Sequence, residues 1–161
     1  PNSKLTRNIK FLVLDVDGVL TDGGLYYSES GDQFKKFNAK DGMGIKLAMK
    51  NGIDVAFLSA GSTKKIVQSR AKTLGIERVS VDTIPKLEIL KTWCNEKNIK
   101  LENVAYIGDD LNDIEVMEAV GFSACPADSV KEVKTKATLI LSKNGGNACV
   151  REFVDEHLLN D

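Results

Sequence analysis

The chain has no dense basic run: 22 lysines and arginines are balanced by 23 aspartates and glutamates, for a net charge of −1. That excludes an electropositive surface for nucleic acid. No stretch approaches the roughly 20 apolar residues that span a bilayer, and the N-terminus lacks a charged-then-apolar signal arrangement. No Cys-x-x-Cys pair is present, and Cys94, Cys125 and Cys149 are odd in number and far apart. Neither a disulfide framework nor a zinc site is indicated. Internal repeats and low-complexity tracts are also missing. The lone histidine, His157, reads as a surface residue of the last helix. The expectation is a soluble, cytoplasmic protein with no membrane or nucleic-acid partner. Its 161 residues suit a single domain spanning 1–161.

What the sequence does have is strand-length apolar runs at intervals too long for hairpins: Ile9 to Val16, Val55 to Ser59, Val79 to Val81, Val104 to Gly108, Phe122 to Cys125 and Thr138 to Leu141. Helical periodicity fills most of the gaps. Ser62 is placed to cap a helix whose apolar positions Ile66, Val67, Ala71 and Leu74 share a face before Gly75 ends it. Pro85 suits the first turn of the next, where Leu87, Leu90 and Cys94 face inward with Trp93 beside them. Further helices are expected from about Asn112 to Val120 and from about Ala148 to Leu159. Such alternation predicts an α/β fold, a doubly wound parallel sheet covered on both faces. Between about residues 24 and 37, the run L-Y-Y-S-E-S-G-D-Q-F-K-K-F instead alternates like two strands around a turn, a β-hairpin projecting from the sheet.

The first apolar run ends in Asp15-Val16-Asp17-Gly18. An ionised carboxylate without a partner is costly to bury, so this pair either meets water or a positive group. In open α/β sheets ligands bind outside the carboxyl ends of the strands. The second strand ends in Ser59, the third is followed by Lys86, and the fourth ends in Gly108-Asp109-Asp110-x-x-Asp113. Crowded carboxylates raise one another's pKa, and an all-oxygen site of this kind suits Mg²⁺. Ser59 and Lys86 remain as donors for a dianionic group. Together these describe a phosphoryl-transfer site.

The ordered segments D-V-D-G-V, F-L-S, Lys86 and G-D-D-L-N-D resemble the four motifs of the haloacid dehalogenase (HAD) superfamily. L-D-V-D-G-V-L-T-D-G, K-K-F-N-A-K-D-G-M-G-I and G-G-N-A-C-V-R-E-F are similar to its small capless branch. That branch acts on 2-keto-3-deoxy sugar-acid phosphates, the eight-carbon 3-deoxy-D-manno-octulosonate 8-phosphate or nine-carbon nonulosonate 9-phosphates. The resemblance implies a HAD-like Rossmannoid with no cap domain, a phosphatase with Asp15 as nucleophile and Asp17 as general acid and base. It implies that Asp15, the Asp17 carbonyl and Asp109 ligate Mg²⁺, with Asp110 and Asp113 as further or water-mediated ligands. Ser59 and Lys86 would hold the phosphoryl oxygens. It also implies a homotetramer in which such hairpins associate and a neighbouring subunit helps close each site.

Two departures concern the substrate. Octulosonate members usually read T-G-R where this chain has Ser59-Ala60-Gly61, and G-G-R-G-A-V-R-E where it has Asn147 and Ala148. With the guanidinium gone, Lys64, Lys65 or Arg70 on the following helix could meet the substrate carboxylate. Two other classes stand beside the phosphatase. One is a phosphatase-like regulatory domain associated with a sialic-acid cytidylyltransferase; such relatives tend to lose motif carboxylates, and here all are present. The other is a two-component receiver, disfavoured by the order of the acidic, hydroxyl and lysine segments.

Overall fold

In the computed structural model, which describes residues 6–159, the run at Phe11 becomes β1, Phe11–Leu14, with every residue buried. A hairpin follows, β2 Tyr26–Tyr27 and β3 Gln33–Phe34, then α1 Ala39–Lys50, β4 Asp54–Ser59, α2 Lys64–Leu74, β5 Arg78–Val81 and α3 Lys86–Lys97. The second half holds β6 Val104–Ile107, α4 Ile114–Ala119, β7 Phe122–Cys125, α5 Lys131–Lys136, β8 Leu139–Ile140 and α6 Cys149–Phe153. The six long-range strands form one parallel sheet in the order β5-β4-β1-β6-β7-β8. The chain winds outward from β1 through β4 to β5, then returns across to β6 on the other side of β1. The carboxyl end of β1 is therefore the switch point where a crevice opens.

Alternate residues of β1 serve two cores. Leu12 and Leu14 join Ile45 of α1, Val67 of α2 and Phe153 of α6, whereas Phe11 and Val13 meet Leu90 and Trp93 of α3 and Val116 of α4. Covering both faces requires apolar residues at successive positions, so the strand reads as a continuous run rather than an alternating one. None of the helices among the described residues is long and apolar enough to cross a membrane, and all three cysteines are free and buried.

Two local expectations are revised. The helix after β4 starts at Lys64 with Thr63 at its N-cap, without a side-chain capping bond, because the preceding residues form the loop in which the Gly61 N–H donates to Ser59 Oγ at 3.1 Å. The last helix tightens only over Cys149–Phe153 and widens into a π-type turn over Val154–Leu158.

The C-terminal segment packs against the loop after β1. The Gly146 N–H donates to the Val19 carbonyl at 3.0 Å, and a Cβ at Gly145 would stand 1.8 Å from the Gly18 carbonyl oxygen. Ala148 holds φ +72, a left-handed conformation costing a non-glycine residue about 1–2 kcal/mol. Buried Asp41 of α1 accepts from the Arg151 N–H at 3.1 Å. Burial pushes its carboxyl up to about 6, with the Arg151 and Val150 N–H groups and the Arg70 charge pulling the other way.

Candidate active site

At the end of β1 the Asp15 N–H still pairs with the Ile107 carbonyl at 3.0 Å. The chain then turns, with the Val16 N–H donating to Asp15 Oδ1 at 2.8 Å. Gly18 makes this turn at φ +85, and a Cβ there would lie 1.8 Å from Asp109 Oδ2. Only glycine lets the β1 loop and the β6 loop approach so closely. The result is a cleft of about 330 Å³ lined by Asp15, Asp17, Gly18, Gly23, Ser59, Ala60, Gly61, Asp109, Asp110 and Asn112. No lysine or arginine is among these lining residues.

Each of the two opening aspartates has its own cation. Lys86 Nζ lies 3.1 Å from Asp15 Oδ1 and 2.7 Å from Asp113 Oδ1. Lys35 Nζ, from the stem of the hairpin, contacts Asp17 Oδ1. Asp15 is 6% exposed, Lys86 5% and Asp113 0%. Burial first, then the charge of Asp113, raises the Asp15 carboxyl well above its ordinary range, and Lys86 offsets only part of this. For Lys86, burial alone would lower the pKa, but Asp15 and Asp113 outweigh it and the ammonium is stabilised. Asp109 is pushed up to about 6, chiefly by burial and then by Asp113 and Asp110.

Asp113 belongs to the same carboxylate cluster, one oxygen each from it, Asp15 and Asp109 lying within 4.8 Å of one another. It does not line the cleft, however, and its acceptor sites are used. Oδ1 takes Lys86 and the Tyr106 hydroxyl, while Oδ2 takes the N–H groups of Asp109 at 2.9 Å and Asp110 at 3.1 Å. Burial would raise its carboxyl, but Lys86, Tyr106 and these N–H groups hold it below the ordinary range. Asp110 is exposed, with Oδ1 accepting from the Leu111 N–H at 2.7 Å.

The chemistry of this donor set fits a hard divalent cation. Asp109 Oδ1 is buried without a hydrogen-bond partner beside the raised carboxyl of Asp15. An unsatisfied carboxylate oxygen beside a second crowded carboxyl is a place where a hard divalent cation would supply the missing positive charge.

The structure thus brings together Asp15, Asp17, Ser59, Ala60, Gly61, Lys86, Asp109 and Asp110, with Asp113 beneath. It does not bring in Lys64 or Arg70. Lys64 is exposed at the start of α2, and Arg70 stacks its guanidinium 5.5 Å over the Phe37 ring, lining a separate depression with Lys65 and Ile66. A helix rises 1.5 Å per residue, so a residue well along α2 is carried away from the strand ends. Sequence reasoning missed Lys35, Tyr106 and Asn112. Tyr106 lies in an apolar strand run and reads as core, and Lys35 stands in a pair of lysines with nothing to mark which turns inward.

An acidic pair, a hydroxyl, a lysine and an acidic loop at neighbouring strand ends define a phosphoryl-transfer site on a doubly wound sheet. A family model described as haloacid dehalogenase-like hydrolase matches residues 63–153, and the chain belongs to that family. The 3-deoxy-D-manno-octulosonate 8-phosphate phosphatase of Escherichia coli K12 is 41% identical over 153 residues, 95% of this chain and 81% of the relative. The crystal structure of the enzyme of that name from Yersinia pestis superposes with a TM-score of 0.94 at 37% identity, covering 98% of this chain and 85% of that one. The Moraxella catarrhalis phosphatase of the same name, in complex with a magnesium ion, a phosphate ion and KDO, gives 0.91 at 32% identity over 97% and 89% of the two chains.

Proposed function

We propose that this chain is a magnesium-dependent phosphatase that hydrolyses 3-deoxy-D-manno-octulosonate 8-phosphate to the free sugar acid and inorganic phosphate. The observation that carries it is the buried Asp15, held by Lys86 at the mouth of β1, beside the partnerless oxygen of Asp109. The likeness to the named phosphatases supports the substrate. Asp15, Asp109 and the Asp17 carbonyl would hold Mg²⁺, with Asp110 at the rim. When bound, the ion offsets the repulsion between these carboxylates and a phosphate dianion.

Asp15 attacks phosphorus and the bond to the sugar oxygen breaks, leaving an aspartyl-phosphate. Asp17 gives its proton to the departing oxygen and then takes one from the water that attacks the intermediate. Lys86 and Ser59 bind the oxygens of the transferring group, Lys86 being anchored in reach of Asp15 by Asp113 and Tyr106. Asp113 acts as support: it fixes Lys86 and, through two backbone N–H groups, the Asp109–Asp110 loop.

A cleft whose lining includes no cation leaves the sugar-acid carboxylate unmet by this chain alone. That supports a homotetramer in which a neighbouring copy closes each site. Leu25, Tyr26, Tyr27 and Phe34 stand exposed on and beside the hairpin and supply apolar surface for it. The expected solution mass is four times 17.6 kDa; a 17.6 kDa species at micromolar protein by light scattering sinks the assembly. Free, buried cysteines support a reducing location, the cytoplasm.

The direct test is turnover on a panel of eight- and nine-carbon 2-keto-3-deoxy sugar-acid phosphates. With Mg²⁺ the octulosonate 8-phosphate should lead by about tenfold or more in kcat/KM, and chelation should stop turnover. The assignment fails if no member of the panel is hydrolysed, or if chelated protein keeps its rate.

A further inference from the structure

The hairpin stem places a buried cation on the second aspartate of the site. Lys35 follows β3 directly, in a segment whose neighbours face solvent: Phe34 is 57% exposed and Lys36 is exposed. Yet the Lys35 side chain is 4% exposed, and its Nζ lies 2.5 Å from Asp17 Oδ1. Among the described residues it is the hydrogen-bonding partner of that carboxylate. The other oxygen, Oδ2, faces Gly61, where a Cβ would stand 3.2 Å away. One oxygen of Asp17 is therefore held from the hairpin side, and the other is left toward the cleft wall that carries Ser59.

Asp17 stands at the exposed rim of the cleft, its side chain 37% exposed. Nothing in its own loop fixes the rotation of the carboxylate. A proton-transferring group must be aligned with the atom it serves, and small misplacements cost rate heavily. A lysine turned inward from an otherwise solvated hairpin supplies that alignment.

We propose that Lys35 is a positioning residue for Asp17. By holding Oδ1 it presents Oδ2 to the leaving oxygen, and it makes the placement of the hairpin a condition of leaving-group departure. The proposal rests on the reading of Asp17 as the group that protonates the leaving oxygen. It concerns Lys35 alone and adds no chemical step.

The test compares two leaving groups. The alkoxide of octulosonate 8-phosphate needs a proton to depart, whereas the anion of 4-nitrophenyl phosphate leaves without one. Lys35→Met should lower kcat/KM on the sugar phosphate by about 10- to 100-fold, and on the aryl phosphate by less than about threefold. Asp17→Asn should show the same selectivity. In an Asp17→Asn background, Lys35→Met should cost nothing further, because a residue acting only through another is silent once that residue is gone. Lys35→Arg, which keeps the charge on a differently shaped head, should give an intermediate ratio and carries the test if the Met variant fails to fold. Lys36→Met is the neutral control.

Equal losses on both substrates, an unchanged ratio, or a further loss in the double variant each overturn the proposal. Wild-type protein inactive on both substrates with Mg²⁺ present would instead overturn the phosphatase reading on which it rests.

Discussion

Asp15→Asn should abolish turnover, to below about one part in 10⁴ of wild type, while leaving a folded and, in metal-free protein, a more stable molecule. An amide nitrogen or oxygen is a poor nucleophile toward phosphorus, so no aspartyl-phosphate forms. Stability moves the other way because the folded carboxyl is raised by burial and by Asp113. A carboxyl whose folded pKa exceeds its unfolded value binds protons better in the native state. Stability then falls as pH rises from the unfolded pKa through the folded one. Asn has nothing to ionise, so its gain in Tm should be absent below about pH 4 and grow as pH rises. Thermal melts with chelator at several pH values, paired with steady-state rates, check both halves. Retained turnover rejects Asp15 as nucleophile; a lower Tm at neutral pH rejects the electrostatic account.

Lys86→Met should damage both fold and rate. The ammonium bridges Asp15 and Asp113 and is buried. Removing one partner of a buried ion pair costs about 3–5 kcal/mol, because the remaining charges lose their compensation. For a chain of this size that is a fall in Tm of roughly 6–20 °C. Turnover should drop by about 10²–10³ from the loss of a charged donor to the phosphoryl group. Tyr106 and the two backbone N–H groups stay on Asp113, so the Asp109–Asp110 loop should persist and the variant should remain soluble. A Tm within 2 °C of wild type, by the same approximate conversion, means Lys86 is less confined than its contacts imply.

These residues also show what a sequence can and cannot display. Asp15, Ser59 and Asp109 were legible because each ends or closely follows an apolar run, Lys86 because it opens the helix after the third run, and strand ends in a parallel sheet converge. The sheet was legible for the same reason, and the hairpin because Tyr26–Tyr27 and Gln33–Phe34 flank a Ser-Gly-Asp turn. Lys64 and Arg70 were expected at the site from closeness in sequence to Gly61, but Lys64 is exposed at the start of α2, and helical rise with the packing of α2 on α1 decides where Arg70 lies. Arg70 lies beside Phe37 and close to Gly42 instead. Lys35 was invisible because no local pattern says which of two adjacent lysines turns inward. The roles of Asp113 and Asp110 were left together by sequence; hydrogen bonds separate them, one saturated below the cleft and one at its rim.

The wall that the C-terminal segment gives to the β1 loop also bears on the order in which the molecule is made. Asn38 to Gly146, Val19 to Cys149 and Asp41 to Arg151 join positions 108, 130 and 110 apart. Closing loops of that length is entropically costly and slow. During synthesis Asp15 and Asp17 emerge well before Gly145 and Gly146, which brace the turn at Gly18. The strand that carries the nucleophile is thus made before the segment that sets its turn, and the loop waits for a distant piece of backbone to hold it.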